Sequence, residues 1–382
     1  MKVLQVLPTL SAGGAESFVT HLGVSLAASG AEVKFFLLAG ARGERGQVLL
    51  QRLRQAGIEV VGHEERNIRS PRTVLRLAGL FRSWQPDIIQ ANLYSAEVVT
   101  VLARLLGKSR STHLVRRLAG TDIVGHRSKP MVRFVGRCFS HTICCSPAVQ
   151  RAHVDLAGRA SAAKSSTIVN GAYAPDNKRD HQARTRFRND LGIPADAFVF
   201  CHVGRMMGNG PGTGLDTEPK AQDILLKSFG RAFKGQGAKR LILVGGGRLL
   251  PVAQSLADSL GIRNQVHFLG IQPEPWPALH AADAFFFPSR HEGMPNALVE
   301  AALCDLPALA SDIPEIRSIS PGDAWLLKPV DDVDAFTDGL KTIVDHYDLF
   351  FARAKQAAPR MRARFSMETC ARSYLELYRS LL

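Results

Sequence analysis

The chain has 382 residues, 46% of them hydrophobic and 21% charged, with a formal net charge of +14. That is more than one ordinary core holds, so the prior is two globular domains of roughly 150–200 residues. No apolar run reaches the roughly 18 residues that a membrane-spanning helix needs. The start, "MKVLQVLPTLSAGGAES", reads better as a first strand running into a loop and helix than as a secretion signal, because Pro8 interrupts its short apolar stretch. Strand-like runs then follow at Val3–Leu7, Val33–Leu38, Glu59–Gly62, Ile88–Ala91, His113–Arg116, His141–Cys145 and Ser166–Val169. Helix-length segments lie between them at Ala15–Ala28, Gly46–Ala56, Pro71–Ser83 and Ala96–Leu106.

The second half repeats the alternation. Its strands are predicted at Ala197–Val203, Arg240–Val244, Val266–Leu269, Ala284–Phe287, Ala308–Ser311 and Ala324–Leu327. Its helices fall at Ala221–Phe233, Leu249–Leu260, Pro295–Leu303 and Asp332–Tyr347. Alternation of this kind makes parallel sheets covered on both faces, and two such series make two doubly wound α/β domains. The boundary falls near Tyr173–Pro194, where the chain is polar and lacks an apolar period. The domains are thus residues 1–175 and 190–365. The closing stretch is a helix, 366–382, with Ser366 as its N-cap.

Charge separates the halves. Residues 1–190 hold 28 Lys+Arg against 13 Asp+Glu, and residues 191–382 hold 20 against 21. The excess is densest from Arg104 to Arg137, where nine basic residues meet one acid, Asp122. A field of that sign draws nucleic acid, an anionic membrane or a phosphorylated substrate. Few aromatics interleave with the basic segment, and no nucleic-acid motif is present, which argues against nucleic acid. The six cysteines form no CxxC pair and no His/Cys spacing of a zinc site, so a reducing compartment and no metal are expected.

The stretch "PSRHEGMPNALVEAALC" carries the chemistry. Its helix, from Pro295 to Leu303, is apolar or small on every side and should be buried. Yet Glu300 sits inside it, about two turns on, and Glu292 sits at its mouth. The free amides of such a helix start attract an anion. Two carboxylates bracketing an anion site suit a ligand with hydroxyls at both ends and phosphate between, as in a sugar nucleotide. The residues alone leave a second reading open, with Glu292 on the surface and Glu300 paired to an arginine.

The pattern "EGMPNALVEA" resembles the paired-glutamate motif, seven residues apart, of the retaining group 1 (family 4) glycosyltransferases. "SAGGAE", "TIVNGAY", "VGRM" with "KAQDILLKSF", "LILVGGG", "VHFLG", "PALASDIPEIRSI" and the last helix resemble that family's other segments, in order. The resemblance implies a GT-B fold, two Rossmann-like domains facing a central cleft, with the last helix crossing back to the first domain. It implies a metal-independent, cofactor-free hexosyltransferase that keeps the anomeric configuration. Glu292, Arg205 and Lys220 would be catalytic. The donor would meet Gly13, Gly14, Arg205, Lys220, Gly270, Met294, Pro295, Asn296 and Glu300. Arg supplies a planar fork and Lys a point charge for the diphosphate.

Arg205 and Lys220 stand further apart here than the family's usual pattern, separated by Met206–Pro219, a Gly- and Pro-rich stretch expected to be a mobile loop. In the first domain Asn92, Tyr94, Arg117 and His126 are the candidates for acceptor binding, with Arg116 and Asp122 as further candidates. The donor is expected to be a nucleotide-sugar, with UDP favoured by "EGMPN". The acceptor is expected to be a lipid-linked or saccharide precursor, at a cytoplasmic site with peripheral contact to an anionic membrane. The competing classes are a basic nucleic-acid-binding protein and an NAD-dependent or epimerase-type Rossmann enzyme. The absence of G-x-G-x-x-G argues against the dehydrogenase.

Overall fold

A computed structural model describes all residues except 12, 63–69, 108–111, 121–127, 174–180 and 209–213. The chain divides into two compact units, Met1–Tyr173 with Phe365–Leu382, and Ala174–Arg364.

Unit 1 holds seven strands: β1 Lys2–Leu7, β2 Glu32–Leu37, β3 Glu59–Val61, β4 Ile88–Asn92, β5 His113–Leu118, β6 His141–Cys144 and β7 Ser165–Thr167. All neighbours pair parallel in the order β3-β2-β1-β4-β5-β6-β7. The near-continuous apolar character of β1 and β4 follows, since both faces of such a sheet are covered. Right-handed crossovers put the helices after β1 and β2 on one face and those after β3, β4, β5 and β6 on the other. The last helix, Met367–Leu381, belongs to unit 1. Ser366 caps it by accepting from the Thr369 amide, and Ala172 N donates to Phe365 O beside that cap. Cys370, Tyr374 and Tyr378 enter the same core as Val3, Phe18, Leu22 and Phe35.

Unit 2 holds six parallel strands: β8 Phe198–Val203, β9 Lys239–Val244, β10 Val266–Phe268, β11 Ala284–Phe287, β12 Ala308–Ser311 and β13 Trp325–Lys328. Their order is β10-β9-β8-β11-β12-β13. Phe200, Phe229, Phe233, Phe286 and Phe336 fill one side of this sheet.

Two expectations change. The polar boundary segment contains a helix, His181–Asp190, that shows no apolar period because tertiary ion pairs hold it instead. Arg184 Nη2 and Arg188 Nη2 each lie 2.7 Å from an oxygen of the buried Asp283. The Val199 amide donates to that same carboxylate at 2.8 Å. The Met206–Pro219 stretch, expected to be a mobile loop, is seated at its described ends. Met206 and Leu215 belong to the unit 2 core, and the Glu218 carboxylate accepts from the Gly208 amide.

Candidate active site

In an open parallel sheet, ligands bind beyond the carboxyl ends of the strands where the chain's direction of travel across the sheet reverses. In unit 2 that point lies between β8 and β11. Arg205 and Lys220 follow β8, and Ser289 and Glu292 follow β11, so the topology gathers the two cations and the first glutamate.

The backbone there is built for close approach. Gly204, Gly245, Gly246, Gly247 and Gly270 follow β8, β9 and β10. Gly245 has φ +134°, and a Cβ on it would fall 1.9 Å from Gly204 O. The Gly245 amide donates to Gly270 O at 2.7 Å, tying two of these strand ends together. Ala221, fully buried between Lys220 and Gln222, takes φ +51°, a left-handed conformation that a non-glycine residue adopts only under tertiary constraint.

Lys220 Nζ lies 2.5 Å from Glu292 Oε1 and 5.2 Å from the centre of the Phe287 ring. Ser289 Oγ lies 2.6 Å from that same Oε1 and 2.8 Å from Pro219 O. Both partners take one oxygen, and no described residue takes Glu292 Oε2. The carboxylate is thus held by one oxygen and offers the other. Beneath it His202 is fully buried. Its Nδ1 sits 3.0 Å from Phe286 O and therefore carries the proton, so Nε2 accepts from the Gln222 amide at 3.3 Å. Gln222 also donates to Arg205 O at 3.1 Å, which fixes the loop that presents Arg205. Burial lowers the His202 imidazole to about 4, against the opposing pull of its bond to Phe286 O and with a further push from Lys220. The Arg205 side chain is exposed, and no described residue pairs with its guanidinium.

The helix after β11 runs Asn296–Leu303, one residue later than expected, because Pro295 takes φ −79° and ψ 73° as its N-cap. Glu300 therefore lies four residues in, about 6 Å along the axis rather than two turns. It is half-buried among Leu298, Val299, Ala301 and Ala302. The amides of Asn296, Leu298 and Val299 are already bonded to Met294 O, Pro295 O and Pro295 O. This helix end thus offers an anion fewer open N–H groups than a free helix start would. Met294 is buried, and Gly270 has open space where a Cβ would stand.

In unit 1 the corresponding point lies between β1 and β4. Gly13 caps the helix Gly14–Ala28 there. Glu16 curls back over it, accepting from Ser11 Oγ at 2.9 Å, and a Cβ on Gly13 would collide with the Glu16 carboxylate. Asn92 and Arg117, expected to face an acceptor, turn inward instead. Asn92 is buried and donates to Gln5 Oε1 at 3.0 Å and Val6 O at 3.4 Å. It accepts from Gln90, whose own oxygen accepts from Tyr378 Oη at 2.5 Å. Arg117 is buried with its guanidinium 4.3 Å above the Phe18 ring and 2.7 Å from Asn170 Oδ1. Arg116 is likewise internal, against Glu97, Thr142 and His153. A side chain so committed cannot reach a ligand without breaking the core. Tyr94 starts the helix Tyr94–Gly107 and is half-buried. Asp122 and His126 lie outside the described residues.

The sequence alone did not point to Ser289, His202 or Gln222. Their roles come in part from contacts across 70, 84 and 20 positions of chain, which periodicity does not reveal.

The two sheets and their edge sites define a GT-B architecture. An Anabaena protein, Alr3699/HepE, solved in complex with UDP and glucose, superimposes with a TM-score of 0.83 over 100% of both chains at 22% identity. Residues 12–172 match the family described as Glycosyltransferase Family 4, and residues 211–346 match Glycosyl transferases group 1. The chain belongs to the group 1 glycosyltransferases. An uncharacterized glycosyltransferase of Methanocaldococcus jannaschii is 25% identical over 62% of this chain and 58% of its own length. The Escherichia coli UDP-Gal:alpha-D-GlcNAc-diphosphoundecaprenol alpha-1,3-galactosyltransferase is 24% identical over 73% of this chain and 71% of its own. Several of the curated relatives that the chain matches are spanned over only about half their length.

Proposed function

We propose that the protein is a retaining, metal-independent hexosyltransferase that needs no cofactor. It moves a hexose or N-acetylhexosamine from a UDP-sugar to a hydroxyl of a lipid-linked or polysaccharide precursor. The observation that carries this reading is the Lys220–Glu292 pair at the unit 2 switch point, beside strand ends of glycine. The Escherichia coli relative acts on a diphosphoundecaprenol acceptor, and the Anabaena structure holds UDP and glucose. Both support a UDP-sugar donor, and the first supports an acceptor on lipid. Work at the cytoplasmic face of a membrane follows from that acceptor.

Unit 2 holds the donor and unit 1 the acceptor. Lys220 and Arg205 neutralise the diphosphate, and Glu292 Oε2 accepts from sugar hydroxyls. The bond from the anomeric carbon to the phosphate oxygen breaks. The acceptor oxygen forms its bond on the same face, and its proton passes to the departing phosphate oxygen. The enzyme orients the partners and stabilises the charge that grows on the leaving group. Glu300, one turn inside its helix, accepts from the ribose.

The test is donor hydrolysis across UDP-, GDP- and ADP-sugars, repeated with Glu292→Ala and Glu300→Ala. Turnover of a UDP-sugar that falls in both variants supports the reading. Unchanged turnover in both overturns it.

A further inference from the structure

Three helices of unit 1 lie side by side on the face of the sheet reached from β3, β4 and β5: Pro71–Trp84, Tyr94–Gly107 and Lys129–Arg137. Their outward side chains break the usual rule for a surface helix. Leu75, Leu102, Leu105, Leu106, Met131 and Phe134 are all exposed, Leu105 by 73% and Phe134 by 66%. They make up six of the twelve exposed large apolar side chains among the described residues, on three of the helices. Leu102, Leu105 and Leu106 share one stripe, as do Met131 and Phe134, by their spacing of three and four.

Among the described residues of these helices, the exposed charge has one sign. The three helices carry seven Lys and Arg residues. Their one acid, Glu97, is buried against Arg116. On the helix Lys129–Arg137 the cations Lys129, Arg133 and Arg137 form a band beside the Met131 and Phe134 stripe. The opposite face differs: the helices Gly14–Ala28, Gly43–Gln55 and Met367–Leu381 each bring an acid into their first turn. Asp155 on the next helix, Pro147–Ala157, bounds the patch.

We infer that this face docks on an anionic lipid bilayer, with the apolar stripes entering the interface and the cations meeting the headgroups. An apolar band flanked by Lys and Arg is what an interfacial helix presents. A second copy of the chain packed on the same face would set cations against cations. Nucleic acid would leave the leucines in water, with Phe134 the one exposed aromatic among the described residues of these three helices to stack on a base. The inference rests on the lipid-borne acceptor proposed above for its purpose, but its test does not.

The test is cosedimentation of the full chain with vesicles of phosphatidylcholine, with and without phosphatidylglycerol. Binding should require phosphatidylglycerol and weaken with salt. Leu105→Ser with Phe134→Ser should cut partitioning at least about tenfold, since each removes apolar area from the interface. Arg133→Glu with Arg137→Glu should abolish it, while Arg54→Glu with Arg372→Glu, on the other face, should leave it unchanged. Hydrolysis of a soluble UDP-sugar should survive all of these, so loss of lipid binding and loss of donor chemistry read out separately. No binding to anionic vesicles, or equal binding by all variants, overturns the inference. So does a lipid-free dimer that Phe134→Ser dissociates.

Discussion

Lys220 and Glu292, 72 residues apart in the chain, meet at 2.5 Å where the unit 2 sheet reverses its order. Each is the other's partner before any donor arrives. Under the proposed function, a diphosphate entering there would compete with Glu292 for Lys220, and the exchange would relieve Glu292 Oε1 of one of its two partners. Lys220→Met and Glu292→Gln should each lower kcat by about 10²–10³-fold, the scale seen when one charge-stabilising group leaves a site. The double variant should lose little more, because the two act as one unit. Steady-state kinetics on a UDP-sugar measures this, and multiplicative losses would show that they work independently.

The histidines set the acid side of stability. Burial lowers His202 from 6.5 to about 4, His153 to about 4 and His21 to about 3. Below pH 6.5 the unfolded chain takes up protons that the folded chain refuses. The stabilisation is therefore complete above 6.5 and is lost as pH falls toward the folded values. For His202 alone the loss comes to about 3 kcal/mol. His202→Asn should show a smaller drop in Tm than the parent between about pH 7 and pH 5. Equal drops by scanning calorimetry would show that His202 titrates normally in the fold.

The glycine edge has a steric role. Gly245→Ala forces a Cβ into contact with Gly204 O, at a φ that alanine rarely adopts. The strand ends must separate, and stability should fall by about 1–3 kcal/mol. UDP binding should weaken with it, as read by thermal shift with and without nucleotide. A variant with the parent's Tm and nucleotide response would mean that the edge is not under this constraint.

Asp283 stands between two arginines and a backbone amide. Asp283→Ala leaves Arg188 buried without its counter-charge, at a cost of about 3–5 kcal/mol. The unit 2 transition should move down sharply in calorimetry, and the helix His181–Asp190 should lose protection in hydrogen exchange. Retained protection would show that apolar packing holds that helix.

Much of the fold was legible in the amino-acid sequence. The strands Ala284–Phe287 and Ala308–Ser311 were placed to the residue because aromatic or apolar runs end there at Pro288 and Asp312. The helix His181–Asp190 was not, because arginine contacts with Asp283 replace the apolar stripe that periodicity detects. In the site, Glu292 and Lys220 stood out through their motifs. Asn92 and Arg117 looked like ligands because a polar residue at a strand end usually faces out. Here Gln5, Gln90, Asn170 and Phe18 supply internal partners that the sequence does not advertise.

Calorimetric titration of UDP tests the partner exchange most directly. Lys220→Met should weaken binding by about 10–100-fold, the worth of one charged hydrogen bond. Glu292→Gln should bind UDP at least as tightly as the parent, because the competitor for Lys220 is gone. Unchanged affinity in Lys220→Met, or an equal loss in both variants, would contradict the account.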